Sequence, residues 1–477
     1  MRQPWLAALS MTSSLAGCVV GPNYAGPPHV AAAENSAPFH RVGDLPVSAD
    51  PVADRWWEGL NDPLLTLLVD RALASSPTVA AAGARLRQAD AAAGASRAAR
   101  LPTAKVSGSY ISAGLPANAV DGLGGSGAAE RINIEDYSLG ANASWELDFF
   151  GKLSRTTEQD RDKAGSASAK LVDAQVILAA NVVRSYVGLR ADQSRLLFVE
   201  KSEHLQQQIV ALNQTRRDRG VISEIDMTKL QNEEAQTRAE LLPLQTSIQI
   251  DMDELAAFLG QEPGTLDAEL AQETMIPTAP SRVAIGDPQS MLRRRPDVRQ
   301  AERDLAAATA GIGINVAKLF PSVNILGFAG LGGANISDVV NFNDRTTLLA
   351  PAISWNFLDF GRTRDQIRQA EAGRDEAFSQ YQSAVLGALR DAEGSLSRYR
   401  GRISAVDSNR TQLQLADRAM TLAHDRYAAG TISLIDYLNS QKQQLTSQSN
   451  LAQSQASLSN EFAGLQKSLG LGYANPF

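Results

Sequence analysis

Side chains able to do covalent or ligand chemistry are sparse in this chain. The four histidines, His29, His40, His204 and His424, lie far apart, and no two share the one-turn spacing with which a helix presents ligands to a metal. No Gly-x-Ser-x-Gly nucleophile elbow occurs, and Gly311-Ile312-Gly313 lacks both the third glycine and the preceding strand of a dinucleotide site. Neither a metal nor a cofactor is expected, and the chain does not read as an enzyme. What remains is hydrogen-bond and acyl chemistry. Ser223 with Asp226, and Ser433 with Asp436, have the spacing of a capping box, in which a hydroxyl and a carboxylate satisfy free N–H groups at a helix start. Cys18 is the only cysteine, so no internal disulfide can form.

The surroundings of Cys18 say what its thiol does. Arg2 gives a short positive start, the apolar stretch from Trp5 to Met11 is too brief to span a bilayer, and Leu15-Ala16-Gly17 leads into the cysteine. This resembles the bacterial lipobox, in which the thiol is acylated and becomes the mature N-terminus. Residues 1–17 therefore read as a signal peptide and 18–60 as a lipidated, extended arm, with palmitate-type acyl chains on Cys18 as the membrane anchor. Val19, not Asp, follows, which is compatible with delivery to the outer membrane. Trp56-Trp57 closes the arm as a packing element.

The elements behind these residues come twice. Trp145, Phe150, Gly151 and Lys152 are answered by Trp355, Phe360, Gly361 and Arg362; Gly220, Ser223 and Asp226 by Gly430, Ser433 and Asp436; Leu259-Gly260 by Leu469-Gly470. Each pair is 210 residues apart, while Pro77 and Pro102 recur 219 residues on, at Pro296 and Pro321. The nine-residue difference falls between Pro102 and Trp145, where Gly122, Gly124, Gly125 and Gly127 mark a flexible loop. Helices are expected over 63–74, 77–100 and from Pro296 to before Pro321. Between Tyr137 and Phe149 apolar residues alternate with small or polar ones, the pattern of a strand with one oily face. Leu349, Ile353, Trp355 and Phe357 repeat it, although Pro351 weakens that strand. Partner strands are expected over 103–113 and 322–332, and about ten residues suffice to cross a bilayer when tilted.

Each hairpin is followed by a segment without proline, 151–220 and 361–430, long enough for a helix on the order of 100 Å. In the second, Val385, Leu389, Ala392, Leu396, Tyr399, Ile403 and Val406 alternate steps of four and three, the spacing of coiled-coil packing. Arg410, Asp417 and His424 then make the seam wetter, and Tyr427 extends it as a packing residue. Return helices are expected over 223–259 and 433–469. The fold class is thus α+β: long coiled-coil hairpins with four strands per chain and an internal tandem repeat. The domain plan is repeat 1 over 61–260, a linker over 261–286, repeat 2 over 287–470 and a tail over 471–477. Four strands cannot close a barrel, and open edges in lipid cost several kcal/mol per unpaired group, so a spanning protein of this kind must oligomerise. The mild acidity, a formal net charge of −7, argues against nucleic acid as a partner.

The lipobox followed by Gly21-Pro22-Asn23-Tyr24, the Trp56-Trp57 to Asp62-Pro63 stretch, the Trp-to-Phe-Gly strand exits and the repeat resemble the TolC-like outer-membrane factors, nearest their OprM-type lipoprotein branch. That resemblance implies a homotrimer whose twelve strands form one transmembrane β-barrel over a periplasmic helical tunnel. It implies a periplasmic adaptor and an inner-membrane transporter as partners, outer-membrane lipid around the barrel, and export of small molecules. Type I protein secretion is the alternative. It also directs attention to the turns at Gly220 and Gly430, where Asp226, Asp436 and Tyr427 match positions that hold the tunnel entrance shut. Ile432 stands where the best-known pattern has arginine and Asn439 where it has aspartate, so a hydrogen-bonded or partly apolar closure is expected in place of a salt-bridged lock. Helix capping by the two aspartates remains an equal reading. Glu146 and Asp148 either line the channel or stand at a solvated loop end.

Overall fold

The computed structural model describes residues 19–27, 38–48, 52–116, 131–272 and 274–473. Cys18, His29 and the glycines of 122–127 lie outside the described residues. The chain forms two compact units, one drawn from residues within 1–28, 87–166 and 301–380, the other from 29–86, 167–300 and 381–477. Helices α1 (Pro63–Ser75) and α2 (Pro77–Ala98) precede strands β1 (Thr103–Pro116) and β2 (Arg131–Leu147). A 67-residue helix α3 (Lys152–Asp218) follows, then α4 (Glu224–Ala239) and α5 (Leu241–Phe258). The second copy consists of α6 (Pro296–Ala317), β3 (Ser322–Gly333), β4 (Arg345–Ser354), a second 67-residue helix α7 (Arg362–Ala428) and α8 (Leu434–Ser468).

In the first unit β1 to β4 form an antiparallel sheet in sequence order. Its two faces follow the period-two pattern. Val106, Tyr110, Leu139, Leu349 and Ile353 share the oily face and are exposed. Ser107, Ser109, Ser138 and Asn142 share the other, where Ser109 bonds Ser138 at 2.7 Å and Asn142 donates to Ser107 at 2.8 Å. The free edges are β1 and β4. Pro351, which has no N–H to give a ladder, sits in β4, an edge strand, where it is tolerated. One expectation is corrected: Trp355 and Phe357 fall beyond β4, which stops at Ser354 because its partner β3 begins only at Ser322, after Pro321.

The arm is seated in this unit by a buried cation. Arg155, only 2% exposed, donates to the carbonyls of Val20 and Gly21 and to Asn23 Oδ1, the last at 2.6 Å. Gly21 adopts φ +88°, and a Cβ there would come within 2.5 Å of Gly313 Cα. The Gly21-Pro22-Asn23-Tyr24 motif is therefore a docking segment, completed by the Tyr24 hydroxyl donating to Glu302 at 2.9 Å.

In the second unit the two long helices each bury an apolar seam, and α3 buries Val182, Val187 and Leu189 on a second side as well. Along α7 the buried positions Tyr381, Val385, Ala388, Ala392, Leu396, Tyr399 and Val406 carry the 4-3 spacing. Along α3 the series is Val172, Val176, Ala179, Val183 and Tyr186, ending on buried Arg190. Trp56 and Trp57 are buried as expected, Trp56 edge-on to Trp57 and to Phe462. An 18-residue window of α3 reaches a mean hydropathy of 1.2, but half of it is buried inside the protein, as packing surface would be. The return of the first repeat is corrected from one helix to two. Pro243 lies in the first turn of α5, where it lacks an N–H and its ring excludes the carbonyl of Ala239, so α4 ends there with Glu240 still near helical angles at φ −76° and ψ −20°. The position 210 residues on is Gln453, and α8 runs unbroken for 35 residues.

The arm contact can be tested directly. Gly21→Ala places a Cβ at a left-handed φ and against Gly313, at about 1–2 kcal/mol for the backbone alone. Limited proteolysis should then cut within 19–27, whereas the native protein should resist there; equal resistance would count against the docking role.

Candidate functional site

Two places carry the expected site residues, and each is described within its own unit. At the strand exits of the first unit, Trp145 donates its indole N–H to Arg100 O at 2.9 Å, and Trp355 to Leu319 O at 3.0 Å. The tryptophans are 210 apart and their acceptors 219, so both copies tie a strand end to the turn that closes the preceding helix. Asp148 accepts from Leu153 N at 2.9 Å and Ser154 N at 2.7 Å, and Glu146 pairs with Lys152 at 2.9 Å. These bonds give Asp148 a capping role at the start of α3. Gly151 and Gly361 turn the chain at φ +78° and +92°.

At the helix tips of the second unit both turns are built alike. Gly220 stands at φ +71°, with its N–H on Arg217 O and that of Val221 on Arg216 O; Gly430 stands at φ +72°, with its N–H on Tyr427 O and that of Thr431 on Arg426 O. This is the Schellman closure, in which only glycine enters the left-handed position without strain. Each turn feeds a serine-capped helix. Ser223 Oγ accepts from Asp226 N at 3.1 Å and donates to Asp226 Oδ2 at 2.7 Å. Ser433 Oγ does the same with Asp436, and Asp436 Oδ2 also accepts from Ser433 N at 3.2 Å, closing the full box. The hydrogen bonds from Ser433 hold the Asp436 carboxyl below its usual range, with a smaller contribution from Arg216 of the other tip.

Tyr427 is corrected from a packing residue to an exposed one. At 38% exposure it stacks on Tyr437 with ring centroids 5.5 Å apart and planes 3° from parallel, and His424 lies 5.5 Å from the same ring. In the first tip the aligned residues are Arg217 and Glu224, which form an exposed ion pair at 3.3 Å; in the second they are Tyr427 and Leu434. The expected site residues Asp226, Asp436 and Tyr427 thus bond within their own turns. The two hairpins are linked lower down, where Lys442 reaches Glu233 at 3.0 Å and Gln206 at 3.1 Å. Tyr437, Arg216 and this lysine were not legible as site residues. Their one signal is the repeat itself, since Tyr437 replaces the buried Met227.

Elsewhere in this unit Asp251 is pushed up to about 6, first by burial and then by the like charges of Asp192 and Glu254. Among the described residues no group of three or more His, Cys, Asp or Glu is placed to hold a metal ion.

A sheet with an exposed oily face and two edges unpaired among the described residues, together with long paired helices that end in tight glycine turns, defines a subunit of a membrane-spanning barrel channel. Residues 68–261 and 288–471 match the outer membrane efflux protein family, and the chain belongs to it. Nodulation protein T of Rhizobium leguminosarum bv. trifolii is 29% identical over 97% of this chain and 96% of its own. The pyoverdine export outer membrane protein OpmQ of Pseudomonas aeruginosa is 27% identical over 88% of this chain and 87% of its own. The solved structure of the outer-membrane channel OprN superposes with a TM-score of 0.84 at 32% identity, covering 95% of this chain and 99% of that one. The protein is an outer-membrane channel subunit of efflux. Its family is one of ducts, not of enzymes, whose trimers work with an adaptor and an inner-membrane transporter.

The second tip should be sensitive to acid. Because the Asp436 carboxyl is lowered, its capping contribution is present above the ordinary carboxylate range and is lost as pH falls through the lowered value. Amide exchange over 433–440, corrected for the intrinsic effect of pH, should quicken on acidification, and Asp436→Asn should quicken it already at neutral pH. Native and variant protein exchanging alike at neutral pH would refute the role of this cap.

Proposed function

We propose that the chain is the passive exit duct of a tripartite efflux pump, working as a homotrimer. The observation that carries this reading is the union of an open-edged, membrane-length sheet with two helical hairpins about 100 Å in reach. Transport energy comes from the inner-membrane transporter, and a periplasmic adaptor joins the two. The cargo is small organic molecules; the export role named for the pyoverdine relative supports this over protein secretion. Residues 1–17 are the signal peptide, and 18–60 the arm, acylated at Cys18. Repeats 61–260 and 287–470 flank the linker 261–286, and 471–477 form the tail.

The tips at Gly220 and Gly430 are the entrance. Asp226 and Asp436 set the start of each return helix, and Tyr427 with Tyr437 forms an aromatic closure at the second tip only. Closure is then hydrogen-bonded and partly apolar, with Arg217 pairing with Glu224 and Asp218 at the first turn.

Planar-bilayer recording of the purified protein tests the duct. The native protein should open rarely, and a variant with Asp226→Ala and Asp436→Ala should open several-fold more often; no conductance from either would end the duct reading. The anchor is tested separately. Labelled palmitate should be incorporated by the native chain and lost with Cys18→Ala, and label retained by that variant would place the lipid elsewhere.

A further inference from the structure

The repeat carries a strand register as well as a fold. In the first hairpin Thr103 faces Ser144, and in the second Ser322 faces Ser354. Those are the same pair moved by 219 and 210 residues, the displacements read from the prolines and the tryptophans. The displacements therefore transfer pairing without slippage. The seam between the hairpins, β2 with β3, can be carried forward by the same operation. Under it β2 becomes β4, and β3 becomes β1. A β1 beside the free edge of β4 belongs to a second copy of the chain.

We propose that β4 of one copy pairs antiparallel with β1 of the next in one defined register, with Leu349 opposite Ser112, Ile353 opposite Gly108 and Trp355 opposite Val106. These are the images of Leu139–Leu331, Ala143–Gly327 and Trp145–Ile325 within the chain. The inference rests on the trimeric reading above and adds to it which residues meet.

Three observations of this chain support that register. The first is parity. Val106, Gly108 and Tyr110 share one face of β1 with Leu139 and Tyr137, and Leu349 and Ile353 share that same oily face. The transferred register keeps it continuous across the new seam, whereas a slip of one residue would turn every side chain to the wrong side.

The second is where β4 ends. Strand β2 runs to Leu147, whose image is Phe357, yet β4 stops at Ser354 for want of a partner in β3. Thr103, the first residue of β1, falls opposite Leu358 in the transferred register. Residues 355–358 thus gain the partners that the single chain cannot give them, and Lys105 meets Asn356.

The third is the bare apolar surface at the seam's base. Inside the chain Phe150 stacks on Phe320, centroids 4.6 Å apart and planes 14° from parallel. Their images are Phe360 and Leu101, which are 93% and 64% exposed. Phe360 is held at φ +53°, a conformation that bulky residues avoid. A neighbouring copy covers that ring with Leu101, as Phe320 covers Phe150.

Disulfide trapping in native outer membranes decides the register. Directly opposed strand residues lie within reach of a disulfide, while diagonal ones, about 7–8 Å apart, do not. A chain carrying Leu349→Cys and Ser112→Cys should give a covalent ladder up to three chains on oxidation. Leu349→Cys with Tyr110→Cys, and Leu349→Cys with Gly114→Cys, should not. A ladder from either control but not from the first pair would overturn the register and leave the trimer standing. No ladder from any pair, with native mass measurement in detergent giving three chains, would overturn the β4–β1 seam. No ladder and a single-chain mass would overturn the trimer itself.

Discussion

Backbone hydrogen bonding at a strand edge is the constraint on which the rest of this structure depends. In lipid no water replaces a missing ladder bond, so every free N–H and C=O along β1 and β4 must find protein. A four-stranded sheet cannot curl back to join its own edges. The chain is therefore built as a closed ring's repeating segment, and its features follow from making that segment rigid. The two tryptophans fix strand ends to helix turns, and Asp148 fixes the start of α3 just beyond β2. The Arg155 clamp then seats the N-terminal segment at Val20, Gly21 and Asn23.

The helical hairpins answer a different demand. A helix of 67 residues has enough internal hydrogen bonds but no reason to stay straight beside its neighbour unless a continuous seam holds it. The 4-3 seams of α3 and α7 supply that, and their polar members show where the seam loosens. Arg190, at the end of the apolar run in α3, is fully buried; it lies over the Tyr186 ring and donates to the carbonyls of Leu270 and Gln272. It ties the helix to the segment joining the two repeats.

Much of this was legible in the sequence because it rests on period and spacing. The alternation around Trp145, the heptads of α7, the prolines that open α2 and α6 and the glycines at the tips each report a backbone requirement that one residue type meets. What was not legible depends on neighbours. The end of β4 is set by where β3 begins. Pro243 sits inside an otherwise helical pattern, and only the fold shows that its missing N–H breaks the return helix there. The seam of α3 is hidden because Val182, Val187 and Leu189 are buried on a second side. Tyr427 continues the heptad count, yet by that point the seam has opened, and the ring finds Tyr437 across the turn instead. The aspartates read equally well as caps or as gate residues, and in the folded chain each bonds in its own cap.

Comparison of the two copies separates these roles further. Residues whose task is set by their own backbone are the same in both: glycine at the left-handed turns, serine and aspartate at the caps, tryptophan at the strand exits. Residues that differ, Arg217 and Tyr427, Glu224 and Leu434, Met227 and Tyr437, Pro243 and Gln453, give the two hairpins different contacts at the tips and a broken return helix in one copy only. A mere duplication of a stable unit would give no physical reason for an ion pair at one tip and stacked rings at the other. Side chains of such unlike chemistry cannot make identical contacts with a common neighbour. Each type of tip therefore offers a chemically different surface, charged at the first turn and aromatic at the second.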